Sequence, residues 1–286
     1  GGDGGGGPDG AVAAILDFAD ELRAVGEERF GRPPAAVGVG LPGAVDEAAG
    51  VAVYSANLGW RDVPIRRLLT ERLGGAVPVA LGHDLRVAAL AEGRLGAGAG
   101  VDRFLLVALG TGIATALSID GRTEPGAHGR AGELGHVVVR PGGTLCGCGR
   151  RGCLEAVASA AAVGRAWAAA AGVPGLDAAD AARAVVAGDP RAVDVWARAV
   201  DALADGMMAA VSLLDPRTLI VGGGLAEAGE TLLTPLRAAL AARAAPFHHL
   251  PEVVPAALGD AAGCLGAGLL AWDARHAAAT AEVVPS

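Results

Sequence analysis

Three cysteines crowd between positions 146 and 153, as Cys146-Gly-Cys148 followed by Cys153, and His136 stands shortly upstream. Thiols packed this tightly along a chain have few uses. A disulfide framework belongs to exported chains, and no segment here resembles a signal peptide. A redox pair is usually spaced C-x-x-C, a spacing the cluster lacks. One His and three Cys form a closed tetrahedral set suited to a structural zinc ion: His136, Cys146, Cys148 and Cys153. Glycines at 142, 143, 147, 149 and 152 let the backbone wrap around such an ion. The plainer alternative is a surface loop with reduced thiols. Cys264, in an apolar helical stretch, reads as a buried small residue.

Bulk properties narrow the class. At 286 residues the chain holds one large domain or two ordinary ones. A hydrophobic fraction of 52% and a mean hydropathy of +0.43 support sizeable cores. Aromatics are only 3%, so those cores must be built from small and branched aliphatics. Net charge is −8 and all 23 basic residues are Arg. With no basic stripe to neutralise phosphates, nucleic acid is not an expected partner. No apolar run reaches about 18 residues, so no membrane span is expected. The stretch from Gly206 to Leu214 is too short and is bracketed by Asp205 and Asp215. Cytoplasm is the expected location.

Residues 1–10 are expected to be disordered. Ala11 to Glu28 reads as an amphipathic helix, with Val12, Ile15, Leu16, Ala19 and Leu22 on one face. Strands are expected at 35–43, 51–54 and 77–84, with SANLGW as a loop and helices over 65–73 and 86–96. Residues 102–122 read as a hairpin turning at Gly-Thr-Gly and closing at Asp120-Gly121. Helix dominates 158–209, broken near Pro174 and Gly188. RTLIVGGGLAEAG (217–229) reads as a strand, a glycine turn and a helix start, followed by a helix over 231–244, a strand at 252–258 and a closing helix over 266–276. Strands alternating with helices imply α/β layers.

Asp84 ends an apolar strand, where open α/β sheets present ligand-handling groups. It can take a proton from a substrate hydroxyl or simply cap the next helix. Gly110, Thr111 and Gly112 offer backbone N–H groups to phosphate oxygens, or make a plain hairpin turn. Gly222, Gly223 and Gly224 allow nucleotide approach or tight packing. Glu133 and Glu155 flank the cysteine cluster. His128, His248, His249 and His276 read as surface or loop residues.

AGELGHVVV followed by CGCGRRGCLE resembles the signature of the ROK family of bacterial repressors and sugar kinases. GLPGAVD (40–46), SANLGWRDVP (55–64), HD with AALAEG (83–93), LGTGIATALSIDG (109–121) and IVGGGL (220–225) match the rest in order. The resemblance implies an α/β, actin-like ATPase (ribonuclease H-like) fold in which two domains close over a cleft. It implies a small domain over 11–105, N-terminally incomplete, a large domain over 106–265 with the zinc loop, and the closing helix packed on the small domain. Its glucokinase-like members imply ATP-dependent phosphorylation of a hexose, glucose at the 6-hydroxyl leading, with Mg2+ accompanying ATP. In that reading Asp84 is the general base. Asn57, His83, Glu133, His136 and Glu155 bind the sugar, and His136 serves zinc and sugar at once. Gly110–Gly112 is the second phosphate loop, and Gly222–Gly224 lies near the adenosine. A homodimer is the expected assembly.

Two departures qualify the match. Kinases of the family open with a strand and a D-x-G-G-T phosphate loop, which this chain lacks together with the first strands of the small domain, so weak or absent activity is expected. The position before the base usually holds Asn, and here it is His83, a bulkier group that titrates near neutral pH. Two other readings share the same residues: a sugar-sensing regulator body without its DNA-binding segment, and a non-catalytic sugar-binding protein.

Overall fold

The computed structural model describes residues 8–55, 57–75 and 77–281. In chain order the elements begin α1 (Pro8–Phe30), β1 (Val37–Leu41), β2 (Ala44–Asp46), β3 (Val51–Ser55), β4 (Trp60–Val63), α2 (Ile65–Arg72), β5 (Val79–His83) and α3 (Asp84–Leu95). The hairpin comes next as β6 (Arg103–Leu109) and β7 (Ile113–Ile119), with β8 (Arg122–Thr123). After the cysteine loop come α4 (Leu154–Ala158), α5 (Ala160–Ala171), α6 (Ala178–Val186), α7 (Pro190–Leu214), β9 (Thr218–Gly222), α8 (Glu230–Arg243), β10 (Glu252–Pro255) and α9 (Ala261–Ala281). No helix among the described residues is long and apolar enough to cross a membrane.

The described residues of Gly1–Ala91, Pro125–Arg130 and Asp260–Ser286 form one unit, and those of Glu92–Glu124 and Ala131–Gly259 form another. In this division the chain leaves the first unit within α3, after Ala91. In the first unit β1 and β5 pair in parallel, from Val37 opposite Val79 to Leu41 opposite His83. A three-stranded antiparallel sheet, β2-β3-β4, stands beside them in sequence. Helix α9 packs on β1 and β5. Leu41, Val45, Trp60, Ile65, Leu69 and Leu81 form the buried centre, and Val12, Ile15, Leu16 and Ala19 of α1 pack against it. Helix α1 starts at Pro8, so residues 8–10 are helical rather than part of a disordered tail, and residues 1–7 lie outside the described residues. Pro suits a first helical turn because its missing N–H would be unpaired there. SANLGW is not all loop: Trp60 is 1% exposed and opens β4.

The second unit is built on a five-stranded sheet in the order β10-β9-β6-β7-β8. Strands β10, β9 and β6 run parallel, while β7 returns antiparallel to β6. Helix α7 supplies much of the core, burying Trp196, Ala199, Leu203 and Met207 at three- and four-residue steps along one face. Asp189 caps its start through the Arg191 N–H, and Asp215 ends it in a left-handed conformation. Cys264 is exposed on α9, not buried: the small-residue pattern of that helix has little net amphipathicity to say which side faces inward. His248 is also better supported than its sequence suggests. Its Nε2 lies 3.0 Å from Ser212 Oγ, and its Nδ1 accepts the Ala245 N–H.

Candidate functional site

The cysteine loop is a small ribbon folded on itself. Leu145 and Arg151 form an antiparallel bridge, as do Val138 and Cys153. The Cys146 N–H donates to the Arg150 carbonyl, and the Gly149 N–H returns to Cys146. Gly152 has φ +76° and packs against the Arg140 carbonyl, where a Cβ has no room. Its carbonyl accepts from both Val139 and Arg140. This ribbon gathers His136, Cys146, Cys148 and Cys153 so that one ligand atom from each lies within 4.8 Å of the others. Cys146 Sγ is 3.6 Å from His136 Nδ1, and Cys148 Sγ is 3.7 Å from Cys153 Sγ.

Ligands about 2.0–2.3 Å from a tetrahedral ion stand roughly 3.3–3.8 Å apart, so both edges fit a zinc-sized cation. The thiols are close enough to shift one another's ionisation. The Arg150 backbone N–H draws the exposed Cys148 thiol down to about 6. Burial, with the neighbouring Cys148 and Cys146, pushes Cys153 up to about 11. Three thiols cannot all ionise in one small volume unless a cation neutralises them. His136 Nε2 lies 3.8 Å from Glu133 Oε2, within ion-pair range but beyond a hydrogen bond.

Cys153 immediately precedes α4, whose first turn carries Glu155. Glu155 Oε2 accepts the Ile113 N–H at 3.0 Å, and Oε1 lies 4.0 Å from Cys146 Sγ. Gly110–Gly112 links β6 to β7, and Gly222–Gly224 comes at the end of β9. The two turns are neighbours, because Ala108 pairs with Gly222 and a Cβ on Gly223 would come within 2.7 Å of Leu109 backbone. Both stand at the carboxyl ends of parallel strands, the usual place for ligands in such sheets. Gly222–Gly224 leads into a single 3-10 turn (Gly224–Ala228) before α8, rather than directly into a helix. A cavity of about 390 Å³ opens beside it, lined among others by Ala178, Ala182, Arg183, Gly224, Leu225 and Ala228.

In the first unit, Asp84 opens α3 directly after β5. Its side chain is 54% exposed. Oδ1 accepts the Leu85 N–H at 2.6 Å and lies 3.3 Å from His83 Nδ1. The Leu85 bond is to the adjacent residue rather than the N2 or N3 amide that a helix cap engages, and the contacts shown use one carboxylate oxygen. Asn57 is exposed on the turn between β3 and β4. Sequence reasoning missed Arg86, two residues past Asp84 and 3% exposed. Its guanidinium meets Glu47 Oε1 at 2.8 Å and reaches the Gly129 carbonyl at 3.4 Å. The lone Arg in an otherwise apolar VAALA face was the available signal, but its partner lies 39 residues away. Also missed was the ring in which Arg140 and Arg243 each bind both Asp201 and Asp205, tying the entry of the metal loop to α7 and α8.

Comparison with known proteins agrees with the motifs. The profile described as "ROK family" matches residues 9–274. A glucokinase from Thermotoga maritima is 38% identical over 246 residues, 81% of this chain and 77% of the relative. The ROK hexokinase structure from Thermus thermophilus superposes with a TM-score of 0.77 at 36% identity, over 94% of this chain and 87% of that one. A ROK glucokinase from Streptomyces griseus, solved with glucose and AMPPNP, gives 0.78 at 33% identity over 91% and 88%. The fold is therefore the actin-like ATPase fold, and the chain belongs to the ROK family.

Proposed function

We propose that this chain is an ATP-dependent hexose kinase, with the glucose 6-hydroxyl as the leading acceptor and Asp84 as general base. The observation that carries the reading is the exposed Asp84 carboxylate, set at the carboxyl end of β5 in a ROK-family chain. In the proposed step the sugar oxygen forms a bond to the γ-phosphorus as the bond to the β,γ-bridging oxygen breaks. The hydroxyl proton passes to Asp84, and ADP leaves. His83, beside that carboxylate, orients it and offers one hydrogen bond to the sugar.

Asn57, Glu133, His136 and Glu155 are proposed sugar ligands, because amides, imidazoles and carboxylates fix the donor or acceptor role of each ring hydroxyl. Gly110–Gly112 is the proposed phosphate turn. Gly222–Gly224 is proposed to lie against the adenosine, with the neighbouring cavity for the base. Zinc, when bound, supplies charge neutralisation for the three thiolates. Its four protein ligands leave no position for a reacting water, so its role is structural. His136 Nδ1 and the three sulfurs would hold it.

The test is ADP release coupled to a dehydrogenase reporter across a hexose panel, on the wild-type chain and on Asp84→Asn. Glucose-dependent ADP release that disappears in Asp84→Asn is expected. Turnover that survives the substitution would overturn the assignment of the base. Sugar binding by calorimetry without phosphoryl transfer would favour a non-catalytic sugar-binding protein.

A further inference from the structure

The glycine turn and the cysteine loop share one stretch of backbone. Strand β7 leaves the turn at Ile113, and its first residues are gripped from two sides. On one side the Ile113 N–H donates to Glu155 Oε2 at 3.0 Å. The carboxylate sits so close to Gly112 that a Cβ there would come within 2.5 Å of Oε2. The Ala160 N–H also donates to the Gly110 carbonyl at 2.9 Å. On the other side the Gly132 carbonyl accepts the Thr115 N–H at 2.8 Å, and Gly135 packs on the Ile113 carbonyl.

Both gripping segments carry metal ligands. Residues 132–135 lead into His136, while Glu155 lies two residues beyond Cys153 and 4.0 Å from Cys146 Sγ. We infer that the metal centre sets the shape of the Gly110–Gly112 turn, with Glu155 as the positioning residue that links them. The ion fixes where the 132–136 segment and the start of α4 stand. Those two segments in turn fix the Ile113 amide and the direction of the N–H groups that precede it. The metal then governs nucleotide phosphate binding as well as the sugar residues beside it. That last consequence rests on the nucleotide role proposed for the turn, whereas the mechanical coupling does not.

Two readouts on the full chain separate these levels. The first is amide hydrogen exchange, compared between the zinc-loaded protein and the same protein after chelation. Exchange over residues 110–113 is expected to rise roughly tenfold or more on metal removal, while the β9 amides at 218–222 stay protected. The second is the affinity for Mg·ADP by calorimetry, expected to weaken roughly threefold to tenfold, the range for one lost positioning hydrogen bond. Glu155→Ala should reproduce both effects with zinc still bound. Glu155→Gln should restore them, because its amide carbonyl can accept the same N–H.

Unchanged exchange at 110–113 after chelation would overturn the inference, as would Glu155→Ala behaving like wild type in both readouts. Loss of protection at 218–222 together with 110–113 would also overturn it, since that is general unfolding rather than coupling. If the zinc-loaded chain binds no Mg·ADP, the kinase reading falls, and the exchange comparison alone decides the coupling.

Discussion

The metal loop and the Asp84 corner belong to different units and are built on opposite plans. In the loop several polar groups near the ligands have fixed partners: Arg150 on the His136 carbonyl, Glu155 on Ile113, and backbone bonds across the ribbon. Cys153, at its heart, is fully buried. At the other corner the carboxylate stands half in solvent on a two-stranded parallel sheet, and the firm part lies beneath it in the Arg86–Glu47 pair. One region is made to hold position. The other leaves a carboxylate open to solvent while the Arg86–Glu47 pair fixes the helix that carries it, the arrangement the proposed base would need.

If that contrast is right, the two regions should fail separately. Asp84→Asn should lower kcat by about a thousandfold or more, the scale of a lost general base, with zinc content and Tm unchanged. A fall in zinc content would break the comparison. Cys148→Ser should reduce bound zinc measured by mass spectrometry and lower Tm by roughly 5–10 °C. It should weaken sugar binding too, since Glu133 and Glu155 flank the loop.

A smaller effect comes from the charge ring at the loop's entry. Burial alone would raise Asp205, but Arg140 and Arg243 outweigh it and hold its carboxyl below the usual range. A lowered folded value means stability that is present above the unfolded pKa, about 3.9. That stability is lost as pH falls through the lower folded value. Asp205→Asn should therefore cost about 1 kcal/mol at pH 7, kept modest by partial exposure. The difference in Tm from wild type should shrink by pH 3. Smallest is Asp177→Ala, which removes a capping box at α6 and should cost about 0.5–1 kcal/mol. It should leave zinc content and the Asp84-dependent rate alone, so a change in either would tie α6 to one of those two regions.

The metal set was legible because its ligands are close in sequence and their chemistry admits few alternatives. The hairpin from Arg103 to Ile119 was legible for the same local reason, with Gly at the turn and apolar runs on both sides. What escaped depends on distant partners. Trp60 opens a strand only because Ser55 pairs opposite it, and Glu155 meets Ile113 across 42 residues. Arg86 is tolerable inside the first unit only with Glu47 at hand. Cys264 was misread because Ala, Gly and Leu surround it on all sides of α9, leaving no stripe to say which way the core lies.

The glycines of the metal loop also carry a forecast for sequence drift. At Gly147 nothing stands within 4 Å of a would-be side chain, so most replacements are sterically neutral there. Gly149 is equally open but left-handed, with φ +86°, which leaves Asn and Asp as its easiest exits. Gly152 is both left-handed and walled by the Arg140 carbonyl. In a saturation library read out by zinc retention, the three positions should grade from permissive through narrow to invariant, although all three begin as the same residue.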